Sequence, residues 1–368
     1  MRKGWEYKSF ETCINKLPKP KQVKTSEYSS GTKYPIISQE DKLISGYYDD
    51  ETYVFHIDSP VVIFGDHTRV LKYVDFDFVV GADGVKIISP KRELNAKFLL
   101  YYLQWYKIPN LGYSRHYKLL KEIKIPLPPK STQLAIVSEL DKINELIRLK
   151  KEQLKDFDNL AQSLFYEMFG DPVENEKGWE VKKLGEIGEV KTGNTPSRSN
   201  DNFYNEKFIE WIKTDNIRNE QMNPTTAAEY LSRDGAECGR IVSKGSILVA
   251  CIAGSLSSIG KCCITTKNVA FNQQINAITP YGDFCNSIYL YELIRNSYKY
   301  IQQNATTGMK HILSKSIFEK MKFPLPPLSL QRLFAQRIEQ IEREKSEVQK
   351  SIQDLETLLA SRMQYWFE

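Results

Sequence analysis

The chain has 368 residues, of which 41% are hydrophobic and 26% charged, and its formal net charge is +5. This length predicts two or three units of ordinary domain size, and the composition excludes disordered, collagenous and membrane proteins. No stretch approaches the roughly 18 apolar residues that a membrane span requires, so we expect a cytoplasmic protein. The mild positive charge is compatible with a nucleic-acid partner but does not establish one.

The six cysteines and the few histidines do not form a metal or disulfide pattern. The cysteines lack both the spacing of a disulfide framework and a paired C-x-x-C zinc motif, which predicts reduced and mostly buried thiols. His56 and His67 lie near Asp58 and Asp66 in the sequence, but this spacing matches no compact set of metal ligands. We therefore predict no metal site.

An internal repeat divides the chain into two halves, which is the strongest clue to its architecture. The segment IPLPP at Ile125–Pro129, the first proline box, returns as FPLPP at Phe323–Pro327, the second proline box, 198 residues later. Each half also opens alike, with Gly4–Phe10 matching Gly178–Leu184. The sequence thus predicts two related globular regions.

Each proline box is followed by a long heptad pattern, in which positions spaced by four and three residues form an apolar seam. Proline excludes a preceding helix, and Ser131 and Ser329 are suitable N-caps. Gly170-Asp171-Pro172 ends the first run. Each predicted helix has about 35 residues and a length on the order of 50 Å. The seam residues are Ile136, Leu140, Ile143, Ile147, Lys150, Leu154, Phe157, Ala161, Leu164 and Met168, then Phe334, Ile338, Ile341, Lys345, Val348, Ile352, Leu355, Leu359, Arg362 and Trp366.

The order of globular region and helix, repeated once, predicts the architecture. Domains commonly have their termini close together, so both helices would meet at one end of a rod and run antiparallel. The predicted fold class is α+β, with two β-rich domains and short helices, separated by a long antiparallel two-helix coiled coil with a circular pseudo-two-fold repeat. The predicted boundaries are 1–129 and 171–327 for the domains, and 130–170 and 328–368 for the helices. Two amphipathic helices in an ordinary bundle core are the alternative.

Short apolar runs separated by turns predict a β-rich core in both globular regions. The predicted strands are Val61–Phe64, Phe76–Val80 and Val85–Ile88 in the first half, and Ser246–Ile252 and Ile275–Ile278 in the second. Short helices are expected near Ala96–Gln104 and Ile288–Gln302.

Several motifs extend these predictions to a family. The first half contains GDHTR at Gly65–Arg69 and GADGVKI at Gly81–Ile87 before its proline box; the second contains GNTPS at Gly193–Ser197, Gly254-Ser255, and NQQI at Asn272–Ile275. Over nearly the whole chain, this combination resembles the two target-recognition domains of type I restriction-modification specificity subunits. The first half departs from the pattern because it is shorter and lacks G-x-T-P-S, which leaves its base-contacting loops less defined.

The resemblance implies a non-catalytic subunit that recognises double-stranded DNA. Each domain would read one half of a bipartite asymmetric site, while the paired helices would set the spacer and dock two methyltransferase subunits. Restriction and translocase subunits would join through the complex. S-adenosylmethionine, ATP and magnesium are expected on those partners, with no cofactor on this chain. The alternative is a coiled-coil scaffold or adaptor without DNA affinity, whose binding would be insensitive to salt.

Enzymatic functions find little support in the sequence. Gly254–Lys261 superficially resembles a phosphate-binding loop, but five residues separate its glycines instead of four, and Cys262 stands where serine or threonine should hold magnesium. The proline boxes lack the Asn/Asp-Pro-Pro-aromatic motif of adenine methyltransferases, and no glycine-rich loop for S-adenosylmethionine stands out.

Both halves carry side chains suited to DNA, since Arg and Lys recognise guanine or phosphate while Asn and Gln recognise adenine. Each could instead be an ordinary solvated residue, and Asp66, Asp83 and Gln273 could be buried turn residues. The candidate contacts are Lys19, Lys21, His67, Arg69, Lys72, Arg115, His116 and Lys118, beside Tyr113 and Tyr117, and then Lys191, Thr195, Ser197, Arg198, Lys213, Asn216, Arg218, Lys310 and His311.

Apolar residues outside the seams are candidates for the methyltransferase interface, although they could equally cover the adjoining domains. They are Leu146, Leu149, Leu160, Phe165, Phe169, Leu333, Leu358 and Phe367.

Overall fold

The computed structural model describes residues 2, 4–31, 33–82, 84–112, 114–218, 221–306, 308 and 310–368, so Asp83 and Tyr113 lie outside the described residues. The chain forms two compact units. The first unit consists of Met1–Glu152 with Gln349–Glu368, and the second consists of Gln153–Val348. Within the described ranges, no helix has the length and apolar character needed to cross a membrane.

Short helices accompany the sheets, and two helices are far longer than the rest. The helices are α1 (Phe10–Cys13), α2 (Ala96–Tyr106), α3 (Tyr117–Lys121), α4 (Lys130–Phe169), α5 (Leu184–Ile187), α6 (Arg233–Cys238), α7 (Ser287–Asn296), α8 (Tyr298–Gln303), α9 (Lys315–Lys320) and α10 (Leu328–Phe367). Helices α4 and α10 have 40 residues each, and each contributes to both units.

The first unit contains two sheets and a separate strand pair. Its strands are β1 (Glu6–Ser9), β2 (Tyr34–Ile37), β3 (Gly46–Tyr48), β4 (Val54–Phe55), β5 (Val61–Gly65), β6 (Leu71–Val74), β7 (Phe78–Val80), β8 (Val85–Ile88) and β9 (Lys124–Leu127). One sheet has the order β3-β2-β7-β4 with β2 parallel to β7, and the other has the antiparallel order β6-β5-β8. Strand β1 pairs with β9, which places Tyr7 of the chain's opening opposite Pro126 of the first proline box.

The second unit repeats this arrangement with three more strands, one in its antiparallel sheet and two in a further pair. Its strands are β10 (Val181–Lys183), β11 (Gly188–Thr192), β12 (Ile209–Ile212), β13 (Tyr230–Leu231), β14 (Ile241–Val242), β15 (Ile247–Ala250), β16 (Ile252–Ala253), β17 (Cys262–Ile264), β18 (Val269–Phe271), β19 (Ile275–Pro280), β20 (His311–Ile312) and β21 (Lys322–Pro324). The order β13-β12-β18-β14, with β12 parallel to β18, matches the mixed sheet of the first unit. The order β11-β19-β15-β17 extends the antiparallel one, and β10 pairs with β21.

The predicted strands lie in these sheets, and the predicted short helices are also present. In the second unit, one predicted strand and one predicted helix are each interrupted. The predicted run from Ser246 to Ile252 divides at Cys251, because the N–H groups of Cys251 and Ile252 both donate to the carbonyl of Gln274, at 2.8 and 3.2 Å. Two residues facing one form a bulge, which ends regular pairing. The predicted helix near Ile288–Gln302 is divided into α7 and α8 at Ser297.

Strand β5 shows how alternation builds the cores. Its residues are all buried, and successive side chains leave opposite faces of the sheet. Val62 and Phe64 enter the cluster that contains Phe98 of α2, whereas Val61 and Ile63 enter a second cluster. This strand is therefore covered on both faces.

The heptad seams of α4 and α10 are buried or half-buried at every predicted position. In the first unit, Ile136 and Leu140 near the start of α4 share a cluster with Met363 near the end of α10. In the second unit, Phe165 near the end of α4 shares a cluster with Phe334 near the start of α10. The seam pattern therefore identified the packed face of each helix.

The predicted N-cap residues are wrong, because each long helix begins before them. Ser131 and Ser329 lie inside the first turns, since α4 begins at Lys130 and α10 at Leu328. Proline-box carbonyls accept the first helical bonds instead, with Pro129 accepting from the N–H of Gln133 at 3.1 Å. At the other end the prediction is confirmed: Gly170 has φ +78°, a conformation that glycine adopts without strain.

A buried glutamine fastens the start of each long helix to its unit. The amide of Gln133 donates to a proline-box carbonyl at 2.9 Å and accepts from the N–H of Asn95, the N-cap residue of α2, at 2.8 Å. Gln331 makes the matching bonds, to the second proline box at 2.7 Å and from the N–H of Asn286, the N-cap residue of α7, at 2.9 Å. We refer to Gln133 and Gln331 as the glutamine anchors.

A charged network joins α7 to both long helices within the second unit. Glu292 of α7 is 2% exposed and lies 3.5 Å from Arg295. Arg295 reaches Asp158 of α4 at 3.2 Å, and Lys345 of α10 reaches the same oxygen at 3.0 Å. Burial raises the pKa of the Glu292 carboxyl, and the nearby Arg295 offsets only part of that rise.

Three of the predicted methyltransferase contacts are core residues instead. Phe165 and Phe169 are at most 1% exposed and pack against Tyr289 and Phe334, while Phe367 packs in the first unit against the ring of Phe98. Aromatic side chains of this size gain a large hydrophobic free energy by burial, so they enter an adjacent core instead of facing water. The remaining predicted contacts, all more than 40% exposed, are Leu146, Leu149, Leu160, Leu333 and Leu358.

The cysteines agree with the expectation of buried thiols. All six are unpaired and five are buried, with Cys238 exposed. Burial raises the pKa of Cys251 to about 12, so this thiol stays protonated and unreactive at neutral pH. Among the residues described, no group of three or more His, Cys, Asp or Glu side chains could hold a metal ion.

Candidate nucleic-acid interface

The GNTPS loop of the second unit is held firmly at its first two residues. A Cβ on Gly193 would lie 2.1 Å from the carbonyl oxygen of Asn272, so only glycine fits there. The side chain of Asn194 accepts from the N–H of Arg240 at 2.7 Å and donates to the carbonyl of Cys238 at 2.8 Å. These bonds make Gly193 and Asn194 structural residues that position the rest of the loop.

Thr195 and Gln273 form an exposed polar pair on this loop and its neighbour. The hydroxyl of Thr195 donates to the amide oxygen of Gln273, and both residues are exposed. The alternative that Gln273 is a buried turn residue is therefore wrong. A glutamine amide oriented by a second side chain has the donor and acceptor needed to recognise an adenine edge.

Arg198 lies against two aromatic rings at the end of the same loop. Its guanidinium carbon is 4.4 Å from the ring centre of Tyr204 and 4.8 Å from that of Trp211. Both rings are bonded to the loop, because the Tyr204 hydroxyl donates to the carbonyl of Pro196 at 2.7 Å and the Trp211 indole donates to that of Asn194 at 3.3 Å. The rings thus present a cation at the surface in a restricted orientation.

Lys213 and Glu229 complete this cluster. The Lys213 ammonium lies 5.0 Å from the Trp211 ring centre and is paired with Glu229, which also accepts from Arg198 at 2.5 Å. Partial burial opposes ionisation of Glu229, but the bonds from Lys213 and Arg198 outweigh it and lower the pKa of the carboxyl. Arg198, Lys213, Glu229, Tyr204 and Trp211 together are called the arginine cluster below.

The other candidates of the second unit have varied surroundings. Asn216 is buried, with its amide donating to Thr225 at 3.1 Å and its oxygen accepting from the N–H of Lys213 at 3.0 Å, so its side chain is engaged in holding the turn. Lys191 is half-buried and pairs with Glu189 at 2.9 Å. The remaining candidates, Ser197, Arg218 and Lys310, are exposed, and His311 is half-buried in β20.

In the first unit, the GDHTR motif forms the turn after β5. Arg69 has φ +63°, which is uncommon for a residue with a side chain, and its guanidinium donates to the carbonyl of Ile108 at 3.1 Å. The backbone N–H of His67 donates to the side chain of Gln39 at 3.2 Å. Asp66 is buried and accepts from the N–H of Tyr117 at 2.7 Å, which confirms its interpretation as a buried turn residue.

Two candidates of the first unit are buried and cannot present a side chain to DNA in this conformation. Lys72 is 6% exposed, and its ammonium donates to the carbonyl oxygens of Ser38, at 2.9 Å, and Lys42. Burial lowers the pKa of Lys72. His116 is fully buried, with one ring nitrogen 2.9 Å from the carbonyl of Asp66 and the other accepting from a backbone N–H. Both side chains satisfy the local backbone instead of facing solvent.

The accessible candidates of the first unit lie on separate loops and helices. Lys19, Lys21, Arg115 and Lys118 are exposed, and Lys21 lies 5.0 Å from the ring centre of Tyr53. An open groove of about 660 Å³ is lined in part by Lys19 together with Lys16 and Lys86. Neither Lys16 nor Lys86 was among the sequence candidates, because Lys16 lies outside the recognised motifs and Lys86 falls within the predicted strand Val85–Ile88.

Comparison with known proteins identifies the family. A model described as the type I restriction modification DNA specificity domain matches residues 3–156 and 176–357. The EcoR124I/EcoR124II specificity subunit of Escherichia coli is 25% identical over 338 residues, covering 87% of this chain and 82% of that protein. The HindI specificity subunit of Haemophilus influenzae is 31% identical over 166 residues, covering 44% of this chain and 35% of that protein.

Solved structures agree on the fold. The type I restriction-modification S subunit from M. genitalium matches with a TM-score of 0.60 at 15% identity, covering 98% of this chain and 95% of that one. A chain from a structure of complex assembly and conformational transition in a type I system matches with a TM-score of 0.59 at 19% identity, covering 100% and 98%.

Two matched domains, each containing the same pair of sheets, define a DNA-specificity protein with two recognition domains. The chain belongs to the family of type I restriction-modification specificity subunits. Members of this family recognise DNA, assemble with the other subunits of their complex, and are generally not catalytic.

Proposed function

We propose that this chain reads a bipartite asymmetric DNA site, with one half-site recognised by each domain. The observation that carries the proposal is the family match to both halves of the chain, which covers the loops described above. In the second half, Thr195, Gln273 and Arg198 offer side chains suited to base edges and phosphates within one short region. The first half offers its own exposed cations, such as Arg115 and Lys118.

The long helices are proposed to form an antiparallel two-helix coiled coil with a pseudo-two-fold repeat. In this proposal, 1–129 and 171–327 are the recognition domains, and 130–170 and 328–368 are the spacer helices. Contacts within each unit support it. In the first unit, Glu139 accepts from Arg362, and Glu356 accepts from Lys151 at 2.8 Å. From Glu139 to Lys151 the residue number in α4 rises, while from Arg362 to Glu356 the number of the paired residue in α10 falls. This order of pairs supports the proposed antiparallel arrangement.

The proposed complex contains two methyltransferase subunits bound to the long helices, with restriction and translocase subunits joining through them. S-adenosylmethionine, ATP and magnesium would be held by those partners, and this chain would contribute recognition without catalysis. The five exposed leucines named above support a protein partner. Isolated exposed leucines are ordinary, but each of the two long helices carries more than one, and a partner can bury them.

Negative charge on the exposed leucines is expected to disrupt this assembly. Leu149→Glu together with Leu358→Glu should weaken co-purification of the methyltransferase subunit at least tenfold, because each carboxylate would have to be desolvated in the interface. Ser138→Glu, on an exposed position of α4, is the matched control and should have little effect. An intact modification complex in the double variant would refute this docking surface.

The function itself is tested by mapping methylated adenines in the source cell with and without this chain. We expect one bipartite asymmetric motif with a fixed gap, which disappears when the chain is removed. The purified complex should bind a duplex carrying that motif with an affinity that falls steeply as salt rises, because phosphate contacts release counterions. A scaffold without DNA affinity predicts neither the motif nor the salt dependence.

A further inference from the structure

Glu229 holds two of the predicted DNA contacts in the second unit. It directly precedes β13, and its carboxylate is shared by Arg198 and Lys213. Its backbone is fixed, because its carbonyl accepts from the N–H of Trp211 at 3.1 Å. The three charged side chains are 30–52% exposed, so a ligand can reach the cluster from solvent.

The cations of the arginine cluster keep their positions by contacts other than those to Glu229. The faces of Tyr204 and Trp211 hold the Arg198 guanidinium, and Trp211 also faces the Lys213 ammonium. Both side chains also donate hydrogen bonds to the GNTPS loop. If the carboxylate moved away, two oriented cations would remain, which is the arrangement that binds an anion.

We propose that Glu229 occupies the place of a DNA backbone phosphate and competes with DNA for Arg198 and Lys213. This inference rests on the proposed function. Carboxylate and phosphate oxygens accept the same charge-assisted bonds, so one can replace the other. Breaking the bonds to Glu229 costs the same on every DNA sequence, whereas base contacts favour only the correct one. Glu229 therefore lowers the affinity for every duplex by a similar factor, so that a duplex without the correct base contacts is bound only weakly.

Glu229→Gln tests this proposal in the complete modification complex. Dissociation constants are measured between 50 and 300 mM salt, for a duplex carrying the mapped motif and for an unrelated duplex. We expect binding to the unrelated duplex to tighten about tenfold at low salt, and the slope of log affinity against log salt to steepen by about one to two, since each phosphate contributes about 0.9. Binding to the duplex that carries the motif should tighten by a similar factor, because the same bonds to Glu229 are broken on both duplexes.

Two further variants separate competition from a general charge effect. Glu206→Gln removes the same charge from an exposed carboxylate that pairs with Arg233 at 3.7 Å in the same unit, and should leave both affinities nearly unchanged. Adding Arg198→Ala to Glu229→Gln should remove most of the gain. Glu229→Ser is a second way to remove the same carboxylate and should act like Glu229→Gln. Thermal unfolding verifies the fold of each protein.

Two contrary results have different meanings. Unchanged binding to the unrelated duplex, or a loss of affinity confined to one base pair of the motif, would overturn the competition, the latter because Glu229 would then be reading a cytosine amino group. If the wild-type complex showed neither preference for the motif nor salt dependence, the proposed function would fail instead.

Discussion

Lengthening both long helices by one heptad should lengthen the gap between the two half-sites without changing their letters. The insertions belong at matching heights, near Lys151 in α4 and Glu356 in α10, where the two side chains pair. Seven residues add about 10.5 Å to a helix. At about 3.4 Å per base pair, the spacer can grow by at most about three base pairs. A whole heptad also keeps the apolar seams in register.

The measurement is the methylated motif produced in cells that carry the lengthened chain. A control with the same insertions in only one helix should assemble poorly, because the seams then no longer match. New half-site letters with an unchanged gap would contradict the spacer role of the helices, and would assign the spacing to the domains themselves.

Removing Arg295 should strongly destabilise the second unit. Arg295→Met leaves the Glu292 carboxylate buried beside Tyr291 without its nearest cation, and breaking a buried ion pair in this way typically costs about 3–5 kcal/mol. Replacing Glu292 by Met as well should recover most of the loss, because the buried carboxylate is then gone and the buried Lys345 keeps its pairs with Asp158 and Glu342. Urea unfolding of the full chain measures both effects.

The loss of stability caused by Arg295→Met should depend on pH. The pKa of Glu292 is raised by burial, so protonation favours the folded state, and stability declines as the pH rises through the folded pKa. Without Arg295 the pKa rises further, and the decline at neutral pH becomes larger. The difference from wild type should therefore shrink as the pH is lowered from 7 towards 5. A difference that is the same at both pH values would contradict this account.

The long helices were predictable because apolar residues at alternating spacings of four and three form one face in a helix. The same reasoning failed for Phe165 and Phe169, which lie beside the seam and are buried by α7 and α10. A seam marks the centre of a buried face, but its width depends on how many elements pack against the helix. That number is a property of the tertiary fold.

The candidate site was less predictable for similar reasons. Lys72 could have been excluded, because it shares a face of β6 with the buried Val74. Glu229 could not have been found, because it meets Arg198 only after two separate strands and a loop come together. Motifs therefore located the loops, while long-range packing determined which side chains on them are available.

The glutamine anchors have a consequence for the precision of DNA recognition. A helix of 40 residues is about 60 Å long, so a tilt of about 5° at its first turn would displace the far end by about 5 Å. That displacement exceeds the rise of one base pair, about 3.4 Å. If the long helices set the spacer, as proposed, the two buried amides of Gln133 and Gln331 limit this tilt, and with it the error in the distance between the two half-sites.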